Sequence, residues 1–213
     1  MERSIIRLVH YRRQIFCFSV PDTCPCCGEE LKGARLTDAP VSLPRPLSNA
    51  HKSRCSLVIA PAESNANREF DGAADLHTGI SNTKGLVYNY TSGGVRRDPE
   101  GWEEAVVVPL VRPDMFHLLD RWDQYLERFC QNSSWDPLWT RFDDQTHNCF
   151  SFCLDFVNLV LELLGQSRQT RESFIQSHIL PQMKRLWKHS AIYRRLEREG
   201  SYALDPPEDQ DQD

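Results

Sequence analysis

Cys149 stands near the start of THNCFSFCLDFVNLVLELL, residues 146–164, where a polar, cap-like run gives way to an almost wholly apolar one. A cysteine in the first turn of a helix gains thiolate character from the helix N-terminus, and more from an adjacent imidazolium. The imidazole in turn needs a third group to fix its tautomer and orientation. His77 and Asn89 are the candidates for those two roles. DLHTGISN and GLVYNYTS read as the arms of a β-hairpin that turns through SNTKG. With the turn centred on Thr83, Ser81 faces Gly85, Gly79 faces Val87 and His77 faces Asn89. Paired residues point to one side of the strands, with Cβ atoms about 5 Å apart. Leu76, Ile80, Leu86, Tyr88 and Tyr90 then form the opposite, core-facing side. The chemistry available to such a set is acyl transfer. Cys149 is the nucleophile, His77 the base and acid, and Asn89 the orienting residue, with backbone N–H groups at the helix start forming part of an oxyanion hole. The plain alternative is a buried core cysteine, since Cys153 lies one helical turn further on.

A second cluster could hold a metal. CPCCG places Cys24 and Cys27 in the C-P-x-C-G spacing of a zinc knuckle, in which two thiolates share one tetrahedral ion and the glycine eases the turn. His51 and Cys55, spaced H-x3-C, complete a structural zinc set, with Cys17 as a substitute ligand. No compact set of histidines and carboxylates accompanies them, which argues against catalytic zinc.

The elements that must position these residues run strands first and helices after, which predicts an α+β fold with one small antiparallel sheet packed on a central helix. QIFCFSV, CSLVIAP and EEAVVVPLV read as strands. RPDMFHLLDRWDQYLERF carries Met115, Phe116, Leu119, Trp122, Leu126 and Phe129 at helical spacing after Pro113. The second helix spans about 148–164 and stops at Gly165, a C-cap residue. A third helical region covers 170–199 with a break near Pro181. Its Lys184, Arg185, Lys188, Arg194 and Arg195 interleave with Leu186, Trp187, Ile192 and Tyr193, the pattern of a packed helix with a solvated basic side. The tail from Leu204 carries five acidic residues and no further apolar anchor, so it reads as disordered. The expected segments are 1–53 (strands and a Cys- and Pro-rich stretch), 54–165 (the core), 166–200 (a basic helical extension) and 201–213 (an acidic tail). His147, beside Cys149, reads as a surface or substrate-side residue.

DLHTGI followed by GLVYNY, with NCFSF much later, resembles the permuted papain-like superfamily, which includes the lecithin retinol acyltransferase-like enzymes and the desumoylating isopeptidase-like proteases. The resemblance spans roughly residues 54–165. It implies a circularly permuted, NlpC/P60-type arrangement, with His77 as the catalytic histidine preceding Cys149 as the nucleophile. It also implies an acyl or isopeptide substrate. Asn89 stands where the acyltransferase-like branch carries a second histidine. The alternative is a catalytically inactive interaction or adaptor protein that keeps the scaffold, with zinc as a staple.

Charge and composition bound the rest. The chain has 213 residues and a formal net charge of -5, which argues against a dedicated nucleic-acid binder. MERSIIRLVHYRRQIFCFSV lacks the continuous apolar run of a signal peptide. No segment approaches the roughly 20 apolar residues of a membrane span. The expected location is intracellular, cytoplasmic or nuclear, with the eight cysteines kept as thiols or metal ligands. The partner is then a protein or an acyl or isopeptide substrate.

Overall fold

A computed structural model describes residues 3–31, 36, 38–62, 70 and 75–204. The fold is α+β, with two antiparallel sheets where the sequence suggested one. The chain divides into two compact units, Leu47–Met183 on one side and Met1–Pro46 with Lys184–Asp213 on the other.

The larger unit is built on a five-stranded sheet. Its strands are β4 (Ser56–Pro61), β5 (Leu76–Ser81), β6 (Val87–Thr91), β7 (Gly94–Asp98) and β8 (Val106–Pro109), in the order β7-β6-β5-β4-β8. Every residue of β4 is buried, because the sheet is covered on both faces. Val58, Ala60 and Val87 point to one face, where Ala50, Trp102 and Ala105 pack on them. The other face meets two helices, α1 (Phe116–Cys130) and α2 (Cys149–Leu163). Tyr90 stacks on Phe152 of α2 at 6.4 Å between ring centres, and Trp122 of α1 meets Phe156 edge-on at 5.0 Å. The buried residues of α1 are Leu118, Trp122 and Leu126, and Phe116 is exposed. The helix therefore starts after the Pro113–Asp114 turn, and its apolar stripe is rotated from the expected one.

The β5–β6 hairpin has a longer loop than the sequence reading assumed. Gly79 pairs with Asn89, Ile80 with Tyr88 and Ser81 with Val87, a shift of two residues. Asn82 causes it. Its side-chain oxygen accepts the N–H groups of Lys84 at 2.8 Å and Leu86 at 2.9 Å, which closes a wider turn. An even shift preserves which side chains share a face, so Ile80, Tyr88 and Tyr90 are core residues as expected. Leu76, at the far end of β5, is instead exposed.

α2 ends in two nested bonds, Gly165 N–H to Glu162 O at 3.0 Å and Gln166 N–H to Leu161 O at 2.8 Å, with Gly165 at φ 69°. That is the glycine-capped stop expected from the sequence. The break near Pro181 is a π turn, Ile175–Ile179, between α3 (Arg171–Phe174) and α4 (Leu180–Glu199). Proline cannot donate the helical bond at that point, and the widened turn absorbs the defect.

The smaller unit holds a four-stranded sheet in the order β3-β1-β2-β9, formed by Val41–Ser42, Ile6–His10, Arg13–Cys17 and Ser201–Leu204. Leu8, Ile15 and Cys17 pack with Cys24 and Leu31 on one face. Ile5 and Phe16 meet Ile192 and Leu196 of the basic helix on the other. The residues Ser201–Leu204, expected to belong to a disordered tail, are thus a strand paired with β2. The rest of that tail, 205–213, lies outside the described residues. Among the described residues no helix is long and apolar enough to cross a membrane.

Candidate functional site

The start of α2 is fixed by Asn148. Its side-chain oxygen accepts the N–H groups of Phe150 at 3.0 Å and Ser151 at 3.1 Å, and the Ser151 hydroxyl accepts the Asn148 N–H at 2.8 Å. This reciprocal capping box satisfies the helix end and holds Cys149 in the first turn. It also narrows the expected oxyanion hole. Phe152 N–H is taken by Asn148 O, so the N–H of Cys149 itself is the first-turn donor for which no acceptor is found among the described residues.

His77, on β5, is half-buried and close enough to Cys149 to act on its thiol. Its Nε2 lies 2.9 Å from Asn89 Oδ1 on the adjacent strand. The two are diagonal rather than directly opposed, and a histidine is long enough to span that offset. Asn89 is buried, and its Nδ2 donates to Asp98 Oδ2 on β7 at 2.8 Å. The Trp102 indole N–H donates to the same carboxylate oxygen at 3.2 Å, and the His77 ring stacks on Trp102 at 5.5 Å. Asp98 therefore sets the Asn89 amide, whose oxygen then requires a proton on His77 Nε2. The lone pair of a neutral ring is left on Nδ1, the nitrogen available to the thiol.

The electrostatics separate the two cysteines of α2. Burial pushes the Cys149 thiol up, but the His77 hydrogen bond and charge, followed by Thr78, outweigh it, and the net shift is downward. Cys153, one turn on, is fully buried and raised by that burial. Cys55 and Cys130 are each pushed up to about 12, mainly by burial.

Cys149 opens onto a cleft of about 510 Å³ lined in part by Asp75, His77, Gln145, Phe150 and Arg171. On its other side His77 reaches a smaller cavity of about 240 Å³ with Asp98, Glu100, Trp102 and Glu104. His147, expected at the surface or on the substrate side, is stacked on Trp135 at 4.5 Å and meets Tyr90 edge-on at 5.1 Å. A short backbone bridge to Asp143 turns it into that aromatic cluster. Asp98, Trp102 and Gln145 were not singled out from the sequence. The turn TSGG after β6 implies a third strand, and counting along it would have brought Asp98 beside Asn89.

The expected metal residues separate. Cys24 and Cys27 share a turn in the smaller unit, where the side chain that joins them is His10. His51 and Cys55 belong to the larger unit. Nδ1 of His51 donates to Gly85 O at 2.8 Å, and its Nε2 accepts the Trp102 N–H at 3.3 Å. Nδ1 thus serves the β5–β6 loop and Nε2 the β7–β8 connection, and Cys55 is buried just before β4.

The chain belongs to the DUF4796 family. The family model DUF4796 C-terminal matches residues 40–196, and DUF4796 N-terminal matches residues 3–31. It is similar to the human MKRN2 opposite strand protein, with 40% identity over 210 residues that cover 99% of this chain and 93% of the human one. No solved structure matches.

Proposed function

We propose that the chain is a cysteine hydrolase or acyl/isopeptide transferase of permuted papain-like arrangement. Cys149 is the nucleophile, His77 the general base and acid, and Asn89 the orienting residue. The observation that carries this reading is the set drawn from a helix start and two strands, in which His77 is hydrogen-bonded to Asn89 and acts on the Cys149 thiol to lower its pKa. A histidine strand before the nucleophile's helix is also the chain order of the permuted families.

In the reaction the Cys149 thiolate attacks a substrate carbonyl, with the proton held on His77. The oxyanion is met by the Cys149 N–H and by the side-chain amide of Gln145 in the cleft. The leaving amine or alkoxide takes the proton from His77, and a thioester forms. Water or a second nucleophile, deprotonated by His77, then releases the acyl group and restores the thiol. All eight cysteines are free thiols, which supports a reducing, intracellular setting. The substrate is an acylated or isopeptide-linked molecule, and the acidic net charge argues against nucleic acid.

The test is the alkylation rate of Cys149 against pH, read by peptide mass in the native chain and in His77→Ala. A lowered thiol pKa keeps the thiolate as pH falls, so the native midpoint lies below that of an ordinary cysteine. Without His77 the burial that raises the thiol is opposed only by Thr78, and the rate at neutral pH drops roughly tenfold or more. An unreactive Cys149, or a profile indifferent to His77, defeats the proposal. One observation favours a second reading, an interaction protein that retains the scaffold without chemistry: Cys149 is only 9% exposed. That reading predicts the unreactive thiol.

A further inference from the structure

The knuckle in the smaller unit is joined by a histidine from a different part of the chain. We propose that His10, Cys24 and Cys27 bind one zinc ion, with solvent in the fourth position. Their ligand atoms all lie within 4.8 Å of one another. His10 Nδ1 and Cys27 Sγ are 3.6 Å apart. In a tetrahedron with Zn–N near 2.0–2.1 Å and Zn–S near 2.3 Å, the N-to-S edge is about 3.6 Å. The edge between His10 and Cys27 therefore already has the spacing the ion needs, with Cys24 close beside it.

Three local features suit the same purpose. The first is the turn. Gly28 N–H donates to Cys24 O at 2.8 Å with φ 75°, and Cys26 N–H donates to Cys24 Sγ at 3.4 Å. An N–H aimed at sulfur offsets the charge of a metal-bound thiolate. The second is behind the histidine. His10 Nε2 faces Glu29 Oε2 at 3.7 Å, which favours the proton on Nε2 and directs the Nδ1 lone pair to the thiols. A carboxylate behind a ligating histidine orients the ring and raises its basicity. The third is the hairpin that delivers His10. It turns through Tyr11 at φ 47° and Arg12 at φ 64°, two non-glycine residues in the left-handed region, a costly conformation that fixes His10 at the end of β1.

Cys26 is not a ligand in this arrangement. It packs against the cluster of Leu8, Ile15, Cys17 and Leu31. Cys24 is buried in that same cluster, and Cys27 is exposed. The ion would thus tie the apolar core of the sheet to the knuckle and leave its open position on the solvent side. Two thiolates and an imidazole at tetrahedral spacing select a borderline-soft cation of zinc type over magnesium or calcium. A sheet of short strands gains from such a staple, because a small core alone supplies little stability.

The test uses the full-length chain, stripped of metal under reducing conditions and titrated with cobalt(II). One equivalent is expected to produce thiolate-to-metal charge-transfer absorption with tetrahedral visible bands, and zinc should abolish both. Cys24→Ser and Cys27→Ser remove the signal. Glu29→Gln weakens zinc binding about 10–100-fold. His51→Ala and Cys55→Ser leave it unchanged. A tetrahedral signal that survives Cys27→Ser and His10→Asn, or no such signal at all, overturns the proposal. A measurement on the native chain guards against variants that misfold. Zinc must shield Cys24 and Cys27 from alkylation, and equal labelling with and without zinc overturns the site.

Discussion

Cys149 and Cys153 sit one turn apart on the same helix, and their surroundings drive their thiols in opposite directions. Burial acts on both. The difference is His77, and His77 owes its orientation to a line of hydrogen bonds that ends at Asp98. Asp98 touches neither the thiol nor the cleft that it opens on, so it is a positioning residue. Asp98→Ala removes both acceptor oxygens, and the Asn89 amide then loses the bond that sets its orientation. The expected result is an upward shift of the Cys149 alkylation midpoint, in the same direction as His77→Ala but smaller, with the fold retained by circular dichroism. An unchanged midpoint would make Asp98 a purely structural partner of Trp102 and Arg96. The three candidate residues were legible because each belongs to a local pattern, a cap signal or an arm of a hairpin. Asp98 was not, because RRDPEG looks like a turn when read alone.

At the scale of elements, the hairpin shows why a partly wrong register still placed His77 and Asn89 on one face. Strand side chains alternate, so an error of two residues moves the pairs without exchanging the faces. An error of one would have separated them. What decides the register is Asn82 and the loop around Gly85, and loop chemistry of that kind is weakly encoded in hydrophobic pattern. Gly85 has φ 80°, and a Cβ placed there would lie 1.9 Å from His51 O. The backbone of His51 therefore presses on the loop while its ring holds the Gly85 carbonyl. This accounts for a histidine that spacing alone offered as a metal ligand. Gly85→Ala combines a left-handed backbone with a clash against main chain, which has little room to shift. Urea denaturation should show a loss of roughly 2 kcal/mol or more. A loss within about 0.5 kcal/mol, typical of a neutral surface change, would mean that the loop yields and does not set the register.

For the whole molecule, the chain's two ends form one unit, and the candidate active site lies in the other. The sequence concealed this because SYAL is four residues long, follows Gly200 and leads into an acidic tail, so no periodicity marks it as a strand. The pairing itself is specific. Tyr202 stacks on Phe16 at 6.0 Å, and the Arg195 guanidinium lies 3.6 Å from the Tyr202 ring centre. Ending the chain after Gly200 removes both contacts and leaves β2 as an unpaired edge, which exchanges more readily than a paired strand. Amide hydrogen exchange in Arg13–Cys17 should then rise, while the pH profile of Cys149 alkylation stays where it was. If the truncation also shifts that profile, the two units are coupled in stability, and the chemistry assigned to the larger one depends on the ends of the chain.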